Sequence, residues 1–399
     1  MSWHEGERAT VVGGIVLAAI CLFFYHGMLS AFWDFGTLQT STGLPIAADF
    51  ANYWSAAKLA LAGKATSAYD IKELHEIQQQ TFGTHHRYGC GWYYPPTFLL
   101  MVLPLGELPY RLAFVVWIGV TLLLFLLVLS RLSHHPMILP LCLLFPGTYM
   151  NFLFGQNGFL SGSLLGGGLL LLDRFPLAAG CLLGLLSYKP PLVGLAFLAL
   201  IFGRYWRSLI SAGATCLLLS LISLAVFGYQ AWLDYFRVMS LPMQLLADGA
   251  TSVDVEPTFM AAVLSAGFGI KAAYLVQLVV MLLVVAGVAW VWGKKLALAL
   301  RGAVLVLGTL LFTPYAFVYD LAILALPLIW LWEDGRVHGR LPGELLLLMF
   351  GWLAPLAAPI LWQFLRIFQG KLQVAPAVLL ALFFLALLKA KAAMNRSGP

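Results

Sequence analysis

The chain has 399 residues, of which 61% are hydrophobic and only 10% charged, whereas soluble domains carry about a quarter charged residues. With a mean hydropathy of +0.90 and 27 Phe, 15 Tyr and 13 Trp, this composition excludes a soluble globular domain and a disordered chain. No basic tract marks a nucleic-acid binder. The sequence reads as an all-α polytopic membrane protein, one integral membrane domain over 1–399.

Twelve apolar segments follow in chain order: Val11 to Leu29, Arg111 to Ser130, Met137 to Phe154, Gly158 to Leu172, Pro176 to Tyr188, Pro191 to Phe202, Ser208 to Phe227, Lys271 to Trp292, Leu296 to Phe312, Phe317 to Trp332, Gly343 to Trp362 and Val374 to Leu388. Several are shorter than the ~20 residues of a straight span, so broken, tilted or re-entrant helices are expected among them. The first has no clear small-residue cleavage site and reads as an uncleaved anchor. With the N-terminus inside, thirteen Lys and Arg fall on the cytoplasmic side against five in the short outer loops. Both termini therefore read as cytoplasmic. Of the 17 acids, eleven fall outside, so acidic chemistry is expected on the extracytoplasmic face. Cys21, Cys142, Cys181 and Cys216 sit in apolar runs as small hydrophobes and Cys90 sits in a loop, which implies no disulfide framework.

Residues 30–110 are too long and too polar for a simple connector and are expected to fold on the outer face. A Gly/Ser/Thr loop, Gly36 to Leu44, precedes a run in which Phe50, Tyr53, Trp54, Ala57 and Leu61 recur at helical spacing until Gly63. Asp49 thus lies near a helix N-terminus, where a carboxylate caps free N–H groups. On spacing alone the cap is the better-supported reading. The alternative is a general base at the membrane face, partly desolvated by Ala47, Ala48 and Phe50.

A second helix, Ile71 to Phe82, carries Lys72, Glu73, His75 and Glu76 on what reads as a solvated face. Next comes GTHHRYGCGWYYPP, with His85, His86, Arg87, Tyr93 and Tyr94. This is aromatic-belt composition, and it is also what a phosphate headgroup needs: cationic donors between flat apolar walls. His85, His86 and Cys90 lack a further ligand, and adjacent His residues rarely share one ion, so no metal is expected. Thr97 to Tyr110 reads as a short apolar helix lying along the membrane surface.

Four further places carry polar groups beside apolar segments. Gln156 and Asn157 occupy a turn where Asn-Gly helix termination competes with sugar binding. Lys189 precedes Pro190-Pro191 at the outer end of a segment, either snorkelling to the interface or contacting a phosphate. Asp320, beside Tyr319, is either a functional intramembrane acid or the cap of the following helix. The loop Tyr229 to Glu256, with Asp234, Arg237, Asp248, Asp254 and Glu256, reads as solvated charge.

Taken in order, Ala48-Asp49-Phe50 with Tyr53-Trp54, Tyr69-Asp70, Tyr94-Pro95-Pro96, FGQNG at Phe154 to Gly158, AAGCLLGLLSYKPP at Ala178 to Pro191, GRYWR at Gly203 to Arg207 and TPYAFVYDL at Thr313 to Leu321 resemble glycosyltransferase family 87. These are the polyprenol-phosphate-mannose-dependent mannosyltransferases of the GT-C fold. The resemblance spans about Leu44 to Trp332 and rests on ordered motifs, none specific alone. It implies a GT-C-type enzyme of the bacterial-type inner membrane with about 12 transmembrane helices and a folded first extracytoplasmic loop. Such an enzyme passes a sugar, mannose in the family, from a polyprenyl-phosphate donor to an acceptor hydroxyl of a glycolipid or glycan, with inversion. Membrane lipid is a further partner; no cofactor, metal or nucleic acid is implied.

The family's first-loop Asp matches Asp49 as catalytic base. Its Lys-Pro turn matches Lys189 as a donor-phosphate partner, to which Arg87, His85 and His86 are added. Tyr319, Asp320, Gln156, Asn157, Tyr93 and Tyr94 are assigned to the substrate pocket. Where part of the family has a His-containing turn, this chain reads Phe317-Val318-Tyr319-Asp320. A competing class is a secondary transporter or lipid flippase with Asp320 and Lys189 on the substrate path. The length of the outer loop and the lack of a visible inverted repeat weigh against it.

Overall fold

The computed structural model describes residues 45–83, 91–247, 256–367 and 373–397 continuously, with isolated positions between 12 and 43. Most of the first apolar segment, and His85, His86, Arg87, Cys90, Asp248 and Asp254, lie outside the described residues. Where the sequence suggested only a Gly/Ser/Thr loop, a two-residue hairpin pairs β1 (Trp33–Asp34) antiparallel with β2 (Gln39–Thr40).

The aromatic stripe forms α1 (Ala48–Leu61), which buries Phe50, Tyr53, Trp54 and Ala57. Leu61 does not join that stripe: it is 40% exposed, lying over Gly106 at the rim of the contact. Gly63 ends the helix at φ 75°. The next helix, α2 (Ile71–Phe82), starts at Asp70, whose carboxylate accepts the Lys72 N–H at 2.8 Å. Its inward face is Leu74, His75, Gln78 and Phe82. His75 is therefore buried rather than solvated with Lys72 and Glu76, because it follows Leu74 on the stripe that packs inward.

After α3 (Pro96–Val102) and a 3-10 turn at Leu103–Glu107 comes α4 (Tyr110–Leu132). The segment Met137 to Phe154 is two helices, α5 (Ile138–Leu143) and α6 (Pro146–Phe154), because Pro146 cannot donate to the preceding turn. Next are α7 (Gly158–Leu171), α8 (Pro176–Leu185), α9 (Pro190–Phe202) and α10 (Trp206–Val238), the last bent at Gly228, φ 77°. Beyond it lie α11 (Leu241–Ala247), α12 (Phe259–Ser265), α13 (Ile270–Trp292) and α14 (Leu298–Phe312). A buried 3-10 stretch, Val318–Leu324, runs into α15 (Ala325–His338), followed by α16 (Glu344–Ile367) and α17 (Ala375–Ser397).

Among the described residues four helices are long and apolar enough to cross a membrane: α4, α10 with its continuation, α13 and α17. Six other apolar stretches are 10–17 residues long. Tyr229 to Val238 continues α10 instead of forming a loop, and Glu256 is fully buried, which corrects the reading of that stretch as solvated charge. Arg237 does face solvent, and pairs with Asp234 at 2.7 Å.

The innermost helix is α14, buried from Leu300 to Leu311, whereas α10 shows Ile210, Leu217 and Leu218 outward, as a lipid-facing helix does. Close crossing of α8 and α10 depends on Gly180 and Gly184, four apart on one face. A Cβ at either would come within 2.3 Å of the Ser208 carbonyl or 2.6 Å of the Ala212 carbonyl.

Charged groups gather where helices end. Arg301, at the start of α14, reaches Asp173 (3.4 Å) and the Tyr205 hydroxyl, and lies over the Trp292 ring. Lys389 of α17 lies between Asp334 of α15 (3.1 Å) and Glu344 of α16 (2.9 Å), all three side chains at most 5% exposed. Removing the cation alone leaves two buried acids facing each other. Lys389→Met is therefore expected to destabilise the fold by about 3–5 kcal/mol. A fall in the thermal midpoint of the detergent-solubilised protein would register this, and an unchanged midpoint would make the cluster incidental.

Candidate active site

Three turns converge on the N-terminal end of α1: the α6–α7 turn with Gln156 and Asn157, the α8–α9 turn with Lys189, and the segment entering the 3-10 stretch with Tyr319 and Asp320. The entry to α1 is a left-handed Ala47, φ 51° and ψ 57°, with no side-chain cap. Such a conformation is unfavourable for a non-glycine residue. Tyr110 holds it by donating its hydroxyl to the Ile46 carbonyl and, at 3.3 Å, to that of Ala47. Trp54 fixes the next turn through its indole N–H to the Leu108 carbonyl, 2.9 Å.

Asp49 follows in the first turn of α1 without capping it. Its Oδ2 accepts the Gln156 Nε2–H at 3.1 Å. Oδ1 carries no hydrogen bond among the described residues. The α6–α7 turn can approach this closely because its apex is Gly155, in the left-handed region at φ 67°, where a Cβ would lie 2.5 Å from that of Phe50.

From Asp49 a continuous hydrogen-bonded path runs inward. Gln156 Oε1 accepts the hydroxyls of Tyr53 and, at 3.2 Å, Tyr94, and also the backbone N–H of Asn157 at 3.1 Å. Asn157 Nδ2 donates to Tyr53 at 3.0 Å and Tyr94 at 2.9 Å. Its Oδ1 accepts from the Lys189 ammonium at 3.2 Å. Lys189 forms an ion pair with Asp320 Oδ1, while Asp320 Oδ2 accepts the Phe317 N–H at 3.0 Å. Asp320 therefore caps the 3-10 stretch with one oxygen and holds the Lys189 cation with the other.

The ends of this path fix its direction. An ammonium and a backbone N–H only donate, and a carboxylate only accepts. Asn157 must therefore turn its oxygen to Lys189, and Gln156 its oxygen to the Asn157 N–H and its nitrogen to Asp49. Every hydrogen bond from Lys189 to Asp49 is donated the same way.

Burial lifts the Asp49 carboxyl from 3.8 to about 6; the Gln156 hydrogen bond opposes this, Asp320 adds to it, and Lys189 pulls it down. Burial also raises the phenols of Tyr53 and Tyr94, so at neutral pH both keep the protons they donate.

The structure thus brings together Asp49, Tyr94, Gln156, Asn157, Lys189 and Asp320, with Tyr319 beside them, its ring 5.9 Å from the Lys189 ammonium. Tyr93 turns instead towards Gly91. His85, His86 and Arg87, assigned to the donor phosphate, are not among the described residues. No group of three or more His, Cys, Asp or Glu among the described residues is arranged to hold a metal ion.

Tyr53 was read only as part of a packing stripe, yet it joins the centre of the path. The available signal was its spacing: Asp49 and Tyr53 are four apart and share one helix face. Tyr188, also not singled out, closes the floor, stacked on Phe98 at 4.7 Å with its hydroxyl 2.8 Å from Ser161 Oγ.

No curated protein and no solved structure matches the chain. A family model, that of glycosyltransferase family 87, matches residues 92–314. The matched stretch holds Tyr94, Gln156, Asn157 and Lys189; Asp49 and Tyr53 precede it, and Tyr319 and Asp320 follow it. It covers more than half of the chain, which belongs to glycosyltransferase family 87.

Proposed function

We propose that this membrane glycosyltransferase moves a sugar, mannose by resemblance to its family, from a polyprenyl-phosphate donor to an acceptor hydroxyl of a glycolipid or glycan on the extracytoplasmic side. The observation that carries this reading is a half-buried Asp49 carboxylate, one oxygen of which has no hydrogen bond among the described residues, joined by neutral groups to a lysine ammonium. A base and a cation are what transfer from a lipid phosphate requires. Asp49 takes the proton of the acceptor hydroxyl, the acceptor oxygen bonds to the anomeric carbon from one side, and the bond from that carbon to the phosphate oxygen breaks on the other. The electron pair leaves with the polyprenyl phosphate, a stable anion that needs no acid to protonate it, unlike the leaving alkoxide of glycoside hydrolysis. Inversion follows from attack opposite the leaving group, and the reaction runs without a metal.

Lys189 meets the departing phosphate. With no donor bound, Asp320 keeps that ammonium from being an unpaired buried charge. The second cationic contribution in this reading comes from Arg87, His85 and His86, and Tyr319 and Asp320 line the pocket. The donor enters laterally between helices, because its polyprenyl chain cannot leave hydrocarbon at ~0.8 kcal/mol per CH₂. The reading makes 1–399 one integral domain whose first loop, 30–110, faces outward, with both termini cytoplasmic.

The test is transfer by the purified full-length protein, in chelator, from radiolabelled polyprenyl-phosphate mannose and other polyprenyl-phosphate sugars to an extracted membrane lipid pool. Asp49→Asn is expected to retain its fold and lose at least about 10²-fold in rate. Equal transfer by both forms would remove Asp49 from the mechanism, and no transfer from any donor would favour the transporter reading.

Two further outcomes are expected. Only the ionised carboxylate accepts a proton, so activity should rise with pH through about 6, and a flat profile between pH 5 and 7 would rule out Asp49 as the titrating base. Lys189→Gln should raise the KM for donor about tenfold or more with a smaller change in kcat, as measured by initial rates against donor concentration. An unchanged KM would place the phosphate elsewhere.

A further inference from the structure

Gln156 and Asn157 were assigned to sugar binding, yet the geometry gives their amides another task. Asn157 uses both amide hydrogens on Tyr53 and Tyr94, and its oxygen on Lys189. Gln156 uses its oxygen on two phenols and a backbone N–H, and directs its nitrogen at Asp49 Oδ2. Both residues are at most 4% exposed, so no solvent replaces these partners.

We infer that Gln156 is a positioning residue that makes Asp49 Oδ1 the proton-accepting atom, by occupying Oδ2 with an amide that cannot turn over. The inference rests on the reading of Asp49 as base. Rotating the Gln156 amide would bring its NH₂ against the Asn157 N–H and the Asn157 Nδ2-bonded phenols, donors facing donors, and its oxygen against a carboxylate. Each such reversal leaves a buried polar group unsatisfied. The amide is therefore held in one orientation from behind, and Oδ2 is always supplied with a donor. A proton arriving at Asp49 on Oδ2 would meet the amide N–H; on Oδ1 it meets no donor among the described residues. The same arrangement fixes the carboxylate about its last torsion, which a terminal sp³–sp² bond does not do for itself.

Other charged and titratable groups face Asp49: Tyr53 on its own helix, Lys189 from the α8–α9 turn, Tyr319 and Asp320 from the 3-10 segment, Tyr94 before α3, and Tyr110 from α4. Among these, Lys189 acts on Asp49 as a cation at a distance. Among the described residues the direct hydrogen bond to the carboxylate is that of Gln156.

The measurement is a pH titration of the full-length protein in proteoliposomes by infrared difference spectroscopy. The carboxylic acid stretch belonging to Asp49 is identified by subtraction of Asp49→Asn. Gln156→Met keeps the side chain's length and removes the amide. It is expected to move the Asp49 midpoint up by about one pH unit and to broaden the band, as a carboxyl with two protonation sites does. In a transfer assay the same variant should lose about fivefold more activity at pH 6 than at pH 8.

The double variant Tyr53→Phe, Tyr94→Phe releases the amide from behind without touching Asp49. It should move the midpoint in the same direction by less, and it decides the matter if Gln156→Met does not fold. An Asp49 band unchanged in midpoint and width in the folded variant would overturn the inference, as would a loss of transfer equal at both pH values. If the band shifts while Asp49→Asn transfers sugar normally, the failure lies in the assignment of the base, and Gln156 still orients the carboxylate.

Discussion

A partly buried ammonium and a half-buried carboxylate, kept apart by neutral amides and phenols, set the terms for the rest of this site. Charges taken out of water are costly unless they are paired or hydrogen-bonded. Here that requirement runs through four elements of distant sequence: α1, the approach to α3, the α6–α7 turn and the α8–α9 turn. None of the four supplies a complete partner set alone. Gly155 admits the α6–α7 turn against Phe50, and Tyr110 holds the left-handed entry at Ala47, because a shift of either would open the path in its middle.

The two carboxylates at the ends of the path live in different surroundings, and that difference separates the roles proposed for them. Asp320 has both oxygens taken, one by Lys189 and one by a backbone N–H. Among the described residues Asp49 has one neutral donor, on Oδ2, and none on Oδ1. Of the two, Asp49 can receive a proton without first giving up a partner. The arrangement has a thermodynamic consequence. A carboxyl raised to about 6 by burial stabilises the fold fully below its unfolded value, and that contribution is lost as pH rises through about 6. The ionised form needed to accept a proton is thus the form the fold favours less.

Much of this was legible in the sequence, and its limits have physical causes. The helix bearing Asp49 was visible as an aromatic stripe with Gly63 at its end, and α2 was visible with the same boundaries that the structure gives it. Lys189, Asp320, Gln156 and Asn157 each stood out as polar groups among apolar segments. Their mutual contacts could not be read, because Asp49 and Gln156 are 107 positions apart and Lys189 and Asp320 are 131 apart, distances over which no periodicity carries information. His75 was misplaced on the solvent face because a histidine beside Lys72 and Glu73 has the composition of a wet surface, while its angle on the helix follows the buried Leu74. The break at Pro146 was present as a residue type but was subordinate to a hydropathy run that continued across it.

In the proposed reaction, transfer of a sugar to a chosen hydroxyl competes with transfer to water, so Asp49 as the proposed base must be accessible to an acceptor and still dry from behind. The packing around Tyr53 meets the second half of that demand. Trp92, Tyr94, Phe98 and Trp117 all present edges or faces to its ring within 5.1–6.0 Å, and Phe98 continues the stack to Tyr188. An aromatic wall of this kind has few hydrogen-bonding groups, so it excludes water from the path without competing for its partners. Exclusion also lowers the local dielectric, which strengthens each hydrogen bond between Lys189 and Asp49 and raises the cost of breaking any one of them. The apolar surroundings that lift the Asp49 carboxyl are thus continuous with those that keep the path intact, and the basicity of the site and its dryness have one origin in the packing of α1 against α3 and α4.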